Sequence, residues 1–128
     1  MPKSAEFSES RIQSEIVRFY RNTYCLKHHN PRSMIFSVPN ESNGAKAMKL
    51  IQTGLYPGCA DIVICHRRDH LGINVLTRWL FVEVKIPTGS QSIKQRLFQQ
   101  HCAQCGIRYE LVRSLDDFKQ VIESIDGI

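Results

Sequence analysis

Two short apolar segments of this chain contain ionisable residues where a buried strand should contain none. Ala60–Cys65 reads Ala-Asp-Ile-Val-Ile-Cys, and Trp79–Lys85 reads Trp-Leu-Phe-Val-Glu-Val-Lys. The first is too short and too rich in β-branched residues for a helix, and each segment predicts a buried strand. Burying a lone charge costs roughly several kcal/mol. Asp61, Glu83 and Lys85 should therefore be paired, bind a metal or lie at the open end of a strand, and their coincidence indicates a functional site.

The spacing of these charges predicts that they share one cleft. Glu83 and Lys85 are two residues apart, so on a strand they project from one face while Val84 points to the other. The polar, glycine-containing stretch His66–Arg78 predicts a hairpin connection, which would make the two strands antiparallel neighbours. Asp61 would then place a second carboxylate beside Glu83.

A pair of close carboxylates suits a divalent metal ion. The two groups repel each other and disfavour joint ionisation unless a cation lies between them. Oxygen ligands of this kind suit Mg²⁺ or Mn²⁺, and the main-chain carbonyl of Val84 is a further candidate ligand. Such a cation would polarise a phosphodiester and lower the pKa of a bound water. With Lys85 to orient that water or to stabilise the charge developing on phosphate, Asp61, Glu83 and Lys85 predict metal-dependent hydrolysis of a phosphodiester.

Glu15 is a third candidate acid for the same cleft. It lies three residues after Ile12 and four before Phe19, on or beside the apolar face of a predicted helix. Its carboxylate could approach the metal directly or through water. The alternative is a glutamate at the rim of the core that pairs with Arg11 or Arg18.

Gln95 is a candidate site residue that comes from another predicted helix. It stands one turn into the helix that starts at Ser92. From there its amide could reach the cleft and hold Lys85 or a nucleophilic water. A solvated surface glutamine is the alternative.

The remaining elements follow from apolar periodicity and helix caps. A helix is predicted from Ser10 to Tyr24, with Ser8 or Ser10 as its cap. The other predicted elements are a strand at Met34–Val38, a helix at Ala45–Gln52, a helix from Ser92 to about Cys105, a strand at Arg108–Val112 and a helix from Ser114 to Ile125. The order α-β-α-β-β-α-β-α predicts an α/β fold, a mixed sheet flanked by helices, in one domain over residues 1–128.

The composition favours an intracellular protein that meets polyanions. The chain has 17 Lys+Arg against 12 Asp+Glu, a net charge of +5, and a pI of about 9.1. Its five cysteines are odd in number and no secretion signal is evident, so we expect a reduced setting. No apolar run approaches the length that spans a bilayer, so we expect a soluble protein without membrane partners.

The motifs around the charged strands resemble a known family. Gly58-Cys59-Ala60-Asp61 before a strand, followed by Glu83-Val84-Lys85, resembles the PD-(D/E)xK nuclease superfamily and, more narrowly, its VRR-NUC branch. The supporting features are Pro39-Asn40 after the first strand, Gly54 before Pro57-Gly58, and Gly89 with Ser92 and Gln95 after the lysine. Ala60 stands where the family commonly has proline, and Arg113-Ser114 stands in place of its arginine pair.

The resemblance implies a restriction-endonuclease-like fold and a DNA endonuclease that uses Mg²⁺ or Mn²⁺. It implies these roles: Asp61 and Glu83 as metal ligands, Lys85 as catalytic lysine, Glu15 as an outer acid of the metal site, Gln95 as a site residue and Asn40 as a DNA contact. Small stand-alone members resemble junction-cleaving nucleases and are often homodimers. The resemblance therefore implies branched DNA such as a Holliday junction as substrate, a two-fold dimer, and the cytoplasm of a bacterial or phage-infected cell.

Two other functions fit parts of the sequence. The first is a DNA-binding module without catalysis, whose phosphate contacts would be Arg67, Arg68, Arg78, Lys94, Arg96 and Arg108. In the nuclease too, we expect Arg67 and Arg68 beside the catalytic strands, and Lys94 and Arg96, to contact DNA. The second is a zinc protein built on Cys102-x-x-Cys105 with Cys59, Cys65, His66 and His70, although no second Cys pair has ligand spacing.

Overall fold

The structure is a computed structural model that describes residues 3–39, 44–54, 56–70 and 73–126. Side chains are described for residues 9–39, 48–54, 56–66 and 78–125. Asn40, and the side chains of Arg67, Arg68 and His70, lie outside these ranges.

Within the described ranges the elements follow the predicted order, which confirms the α/β fold class. The helices are α1 (Lys3–Tyr20), α2 (Gly44–Gln52), α3 (Ile93–Cys105) and α4 (Leu115–Asp126), and the strands are β1 (Ile35–Ser37), β2 (Ile62–His70), β3 (Ile73–Val84) and β4 (Arg108–Val112). A π-helical turn, Arg21–Leu26, continues α1, and a 3₁₀ turn, Arg32–Met34, leads into β1.

The four strands form one mixed sheet in the order β1-β2-β3-β4. β1 and β3 both pair antiparallel with β2, and β4 pairs parallel with β3. The predicted hairpin is therefore present, with Ile62 opposite Val82 and Ile64 opposite Leu80. The β3–α3–β4 unit supplies the parallel pair, since parallel neighbours need a crossover connection.

Side-chain alternation along β3 separates the two faces of the sheet. Leu80, Val82 and Val84 are buried in the hydrophobic core on one face. The other members of that core come from α1, α4 and the neighbouring strands and include Ile16, Tyr20, Ile35, Ile62, Ile64, Val112, Phe118, Ile122 and Ile125. Phe81, on the opposite face, packs edge-on against Phe98 of α3 with ring centroids 5.4 Å apart. That second face also presents Glu83.

The largest differences from the sequence predictions concern the start of α1 and the length of the β2–β3 hairpin. α1 begins at Lys3, so Ser8 and Ser10 lie inside the helix and neither caps it. His66–Arg78 was expected to be a connection, but most of it is strand, with Arg67 opposite Thr77. Antiparallel strands form backbone hydrogen bonds with each other whatever their side chains. Hydrophobic patterning therefore does not predict the polar ends of β2 and β3.

In the part of the chain that the structure describes, no helix combines the length and the apolar character that a transmembrane span requires.

Candidate active site

Asp61 lies immediately before β2, at a junction of three strands. Its main-chain carbonyl accepts a hydrogen bond from the N–H of Val38 at 2.8 Å, and its Oδ2 accepts one from the N–H of Val84 at 2.8 Å. Asp61 therefore connects the end of β1 and the end of β3 to the start of β2. Asp61 thus lies at the end of a strand, which is one of the positions that the sequence predicted for a charge in this segment.

Gly58 allows the segment before Asp61 to pass close to α3. It has a φ of 98°, and a Cβ there would lie 2.7 Å from the carbonyl carbon of Lys94. A side chain at Gly58 would meet both left-handed backbone strain and a backbone clash. The short path from Gly58 to Asp61 thus depends on glycine.

Glu83 is 1% exposed and lies at the centre of a small polar cluster on the α3 face of β3. The amide Nε2 of Gln95 donates to its Oε2 at 2.9 Å, and the hydroxyl of Tyr109 is 3.5 Å from its Oε1. The Nζ of Lys85 lies 4.0 Å from Oε2, and the Lys85 side chain is 12% exposed. The structure thus brings Asp61, Glu83, Lys85 and Gln95 together.

Burial raises the pKa of both carboxyl groups. The pKa of Glu83 rises from 4.5 to about 8, first because of burial and then because of the Asp61 charge, with Lys85 opposing. Burial also raises the pKa of Asp61, although the N–H of Val84 and a hydrogen bond with Glu83 oppose this effect. Protonated Glu83 can donate to Asp61, so the pair accommodates one negative charge more readily than two.

Gln95 reaches the cluster because a helix cap orients its side chain. Ser92 and Gln95 form a capping box: Ser92 Oγ accepts from the N–H of Gln95 at 3.1 Å, and Gln95 Oε1 accepts from the N–H of Ser92 at 2.8 Å. With Oε1 occupied, Nε2 is directed at Glu83. We expected Gln95 to hold Lys85 or a water, and its partner in the structure is the carboxylate instead.

Tyr109 is a member of the cluster that the sequence analysis missed. It lies on β4 opposite Phe81, one side-chain repeat from Glu83 on the same face. Its hydroxyl accepts from Gln91 Nε2 at 3.2 Å, and burial, followed by the Glu83 charge, raises its pKa. Only the parallel register of β4 against β3 brings it here, and local patterning does not predict such a register.

Glu15 does not join the carboxylate pair. Its side chain is 46% exposed, and its Oε2 lies 3.8 Å from Arg11 Nε, which is the ion pair considered as the alternative. Glu9, two helical turns before the buried Ile16, is instead near enough for its charge to raise the pKa of Glu83. The step from Glu9 to Ile16 was the available signal, because residues seven apart share a helix face.

The structure describes some of the other residues that were predicted to bind metal or DNA. Val84 has a buried side chain, and its main chain is tied to the site through its N–H. Its carbonyl stays a predicted ligand. Lys94 and Arg96 are exposed in the first turn of α3.

Arg113 has a structural position close to the site. Its Nη1 donates to the carbonyls of Ile86 at 2.8 Å, Pro87 at 3.3 Å and Gly89 at 2.6 Å. These atoms belong to the connection between Lys85 and α3. Arg113 therefore holds the loop that connects Lys85 to α3, the helix that carries Gln95. The one arginine that stands in place of the family's pair has a structural role here.

Those residues considered for zinc whose side chains are described do not assemble into a metal site. Among the described side chains, no three His, Cys, Asp or Glu residues come together in an arrangement that could hold a metal ion. His66 is buried on the core face, where its Nδ1 is hydrogen-bonded to the Tyr20 hydroxyl at 2.8 Å. Cys102 is buried and Cys105 is exposed.

The fold is similar to that of a solved structure described as a VRR_NUC domain protein. The TM-score is 0.69 at 18% sequence identity, and the match covers 91% of this chain and 86% of that chain. No protein-family model matches the sequence, and no curated protein matches it. The similarity shows the restriction-endonuclease-like fold that the sequence resemblance implied.

Proposed function

We propose that this chain is a nuclease of the VRR-NUC type, which hydrolyses phosphodiester bonds in DNA with the help of Mg²⁺ or Mn²⁺. The observation that carries the proposal is the buried pair of Asp61 and Glu83 with Lys85 beside it. The likeness of the fold to a VRR_NUC domain protein supports the same conclusion. Metal dependence and the preferred DNA structure are part of the proposal.

The residues at the site fit a hard divalent cation. Two carboxyl groups with raised pKa values are held side by side, and a cation between them would favour their joint ionisation. Their oxygens, with the carbonyl of Val84, form a donor set suited to Mg²⁺ or Mn²⁺. When bound, such an ion supplies positive charge that polarises the phosphodiester and acidifies a water.

The chain's own groups have separate tasks in this proposal. Lys85, part exposed at the mouth of the cluster, neutralises charge that develops on the phosphate. Gln95 and Tyr109 hold the Glu83 carboxylate in one orientation. Glu9 adds a third acid near the pair, the place the sequence analysis gave to Glu15.

The proposed substrate is branched DNA, cut by a two-fold dimer. Its support is the sequence resemblance, and the exposed Lys94 and Arg96 offer phosphate contacts beside the cluster. A two-fold axis would present two active sites to opposite strands of a four-way junction.

One assay tests both the chemistry and the substrate. Labelled four-way junction, flap, duplex and single-stranded DNA are incubated with Mg²⁺ or Mn²⁺ and, separately, with EDTA. We expect metal-dependent cleavage that prefers the junction, at least about 100-fold slower in Asp61→Asn and Lys85→Ala. Solution mass measurement reports the dimer.

Matched variants control for charge and folding. Asp116→Asn and Lys119→Ala change the same residue types on α4, on the core side of the sheet. They should cleave like the wild type. Equal cleavage by the Asp61 and Lys85 variants would contradict the nuclease assignment, and metal-independent DNA binding without cleavage would favour the non-catalytic module.

A further inference from the structure

A cavity of about 650 Å³ lies between α1 and the edge strand β1. Its lining is rich in cationic and hydroxyl side chains, which include Ser10, Ser14, Arg18, Arg21, Arg32 and Ser37. A second cavity of about 510 Å³ continues from it and shares Arg21, Asn22 and Arg32. None of the described residues that line either cavity is acidic. We call the first cavity the arginine groove.

The arginines of the groove have unused hydrogen-bonding capacity. Within the described side chains, none of Arg18, Arg21 and Arg32 forms an ion pair. Arg21 donates from Nη2 to the carbonyl of Ile35 at 3.4 Å, whereas its Nε is buried and has no hydrogen-bond partner in this part of the chain. A buried donor normally has an acceptor, and a guanidinium fits the paired oxygens of a phosphate.

One end of the groove adjoins the carboxylate pair. Ser37 precedes Val38, whose N–H donates to the Asp61 carbonyl at 2.8 Å. Ser10 follows Glu9, whose charge acts on Glu83. Two separate elements therefore place the serine end of the groove beside the candidate active site.

The other end extends well away from that site. Ser10 lies 11 residues before Arg21, the first residue of the π-helical turn after α1, which corresponds to about 16 Å at the α-helical rise. Successive phosphates of a duplex strand advance by about 3.4 Å along the axis. The groove is thus long enough for several phosphates, and its charge increases with distance from the acidic pair.

We infer that the arginine groove binds the phosphodiester backbone of a DNA arm that leads away from the cleavage site. The inference rests on the proposed nuclease function, because it takes the carboxylate pair as the point where the DNA is cut. The groove is distinct from the predicted contacts at Lys94 and Arg96, which lie on α3 across the sheet.

Equilibrium binding of a labelled duplex, followed by fluorescence anisotropy in EDTA, tests the groove without requiring cleavage. Each phosphate contact contributes a slope of about 0.9 to the dependence of log K on log salt, so one lost contact weakens binding ~8-fold at 0.1 M salt. Arg18→Ala with Arg32→Ala should weaken binding ~60-fold and reduce the slope by about 2. Replacing both arginines by lysine should preserve most of the affinity and the slope.

Arg11→Ala is the matched control. Arg11 lies on the same helix, is 70% exposed and pairs with Glu15 outside the groove lining. It should bind DNA like the wild type. Unchanged affinity and slope in the double alanine variant, or an equal loss in Arg11→Ala, would contradict binding of DNA in the arginine groove.

Failure of the nuclease proposal would be seen separately. The wild type is incubated with the same DNA and Mn²⁺, and absence of cleavage would contradict catalysis. The groove is judged only by the difference in binding between the variants.

Discussion

The isosteric change Glu83→Gln should alter how the stability of the metal-free protein depends on pH. Glu83 is 1% exposed, and its pKa in the folded chain is about 8 against an ordinary 4.5. The amide has nearly the same shape and stays neutral at every pH. It can still accept from Gln95 or Tyr109 through its remaining oxygen.

The sign of the effect follows from proton linkage. Between pH 4.5 and about 8 the folded chain keeps a proton on Glu83 that the unfolded chain has released. The contribution of Glu83 to the free energy of unfolding is therefore fully present below pH 4.5 and is lost as the pH rises through about 8. One unit of pKa is worth slightly more than about 1 kcal/mol, so the whole loss amounts to about 5 kcal/mol. That is comparable to the total stability of a marginal domain, about 5–15 kcal/mol.

The measurement is urea unfolding in EDTA at a series of pH values from 5 to 9. We expect the free energy of unfolding of the wild type to fall relative to that of Glu83→Gln across this range. Glu110→Gln, which removes a half-buried carboxylate paired with Arg108 at 2.8 Å, is the control and should retain the wild-type slope. Parallel curves for the wild type and Glu83→Gln would show that Glu83 does not hold a proton above its ordinary pKa in the folded chain.

Two further predictions concern residues around the pair. Arg113→Ala removes charged hydrogen bonds to the carbonyls of the loop after Lys85, so it should lower the free energy of unfolding by about 2–4 kcal/mol and slow single-turnover DNA cleavage; unchanged values of both would contradict the structural role. Glu9→Gln removes a charge that raises the pKa of Glu83, so the midpoint of the pH-dependent loss of stability should move to lower pH, whereas Glu15→Gln should leave it in place. Equal shifts in the two variants would show that the assignment of the third acid is wrong.

The sequence predicted the fold because its signals are local. The β-branched residues of Ala60–Cys65 predict β2 from local sequence alone. In the same way, the cap at Ser92 and the terminal Gly106 predict the two ends of α3. Asp61, Glu83 and Lys85 were selected as candidates in the same way, since a charge within an apolar strand is visible in the local sequence.

What the sequence missed depends on register and on helix phase. Tyr109 reaches Glu83 only through the parallel pairing of β4 with β3, and His66 is buried only because the hairpin arms extend beyond their apolar ends. Glu9 was not considered, because the helix was expected to begin at Ser10. A start at Lys3 brings Glu9 into the helix, on the face of Ile16.

The environment of Glu83 would connect the proposed binding of a metal ion to the stability of the folded chain. Gln95 and Tyr109 hold the Glu83 carboxyl group in one orientation. Burial and the Asp61 charge disfavour its ionisation, so ionising Glu83 in the folded chain costs free energy. A cation that binds the ionised pair removes that cost, and its binding free energy adds to the stability of the folded chain alone. The groups that lower the stability of the metal-free protein at high pH are therefore those that would favour binding of a divalent ion. A purely structural buried pair would have no such reason to keep both carboxylates, because apolar residues of similar volume are often at least as stable.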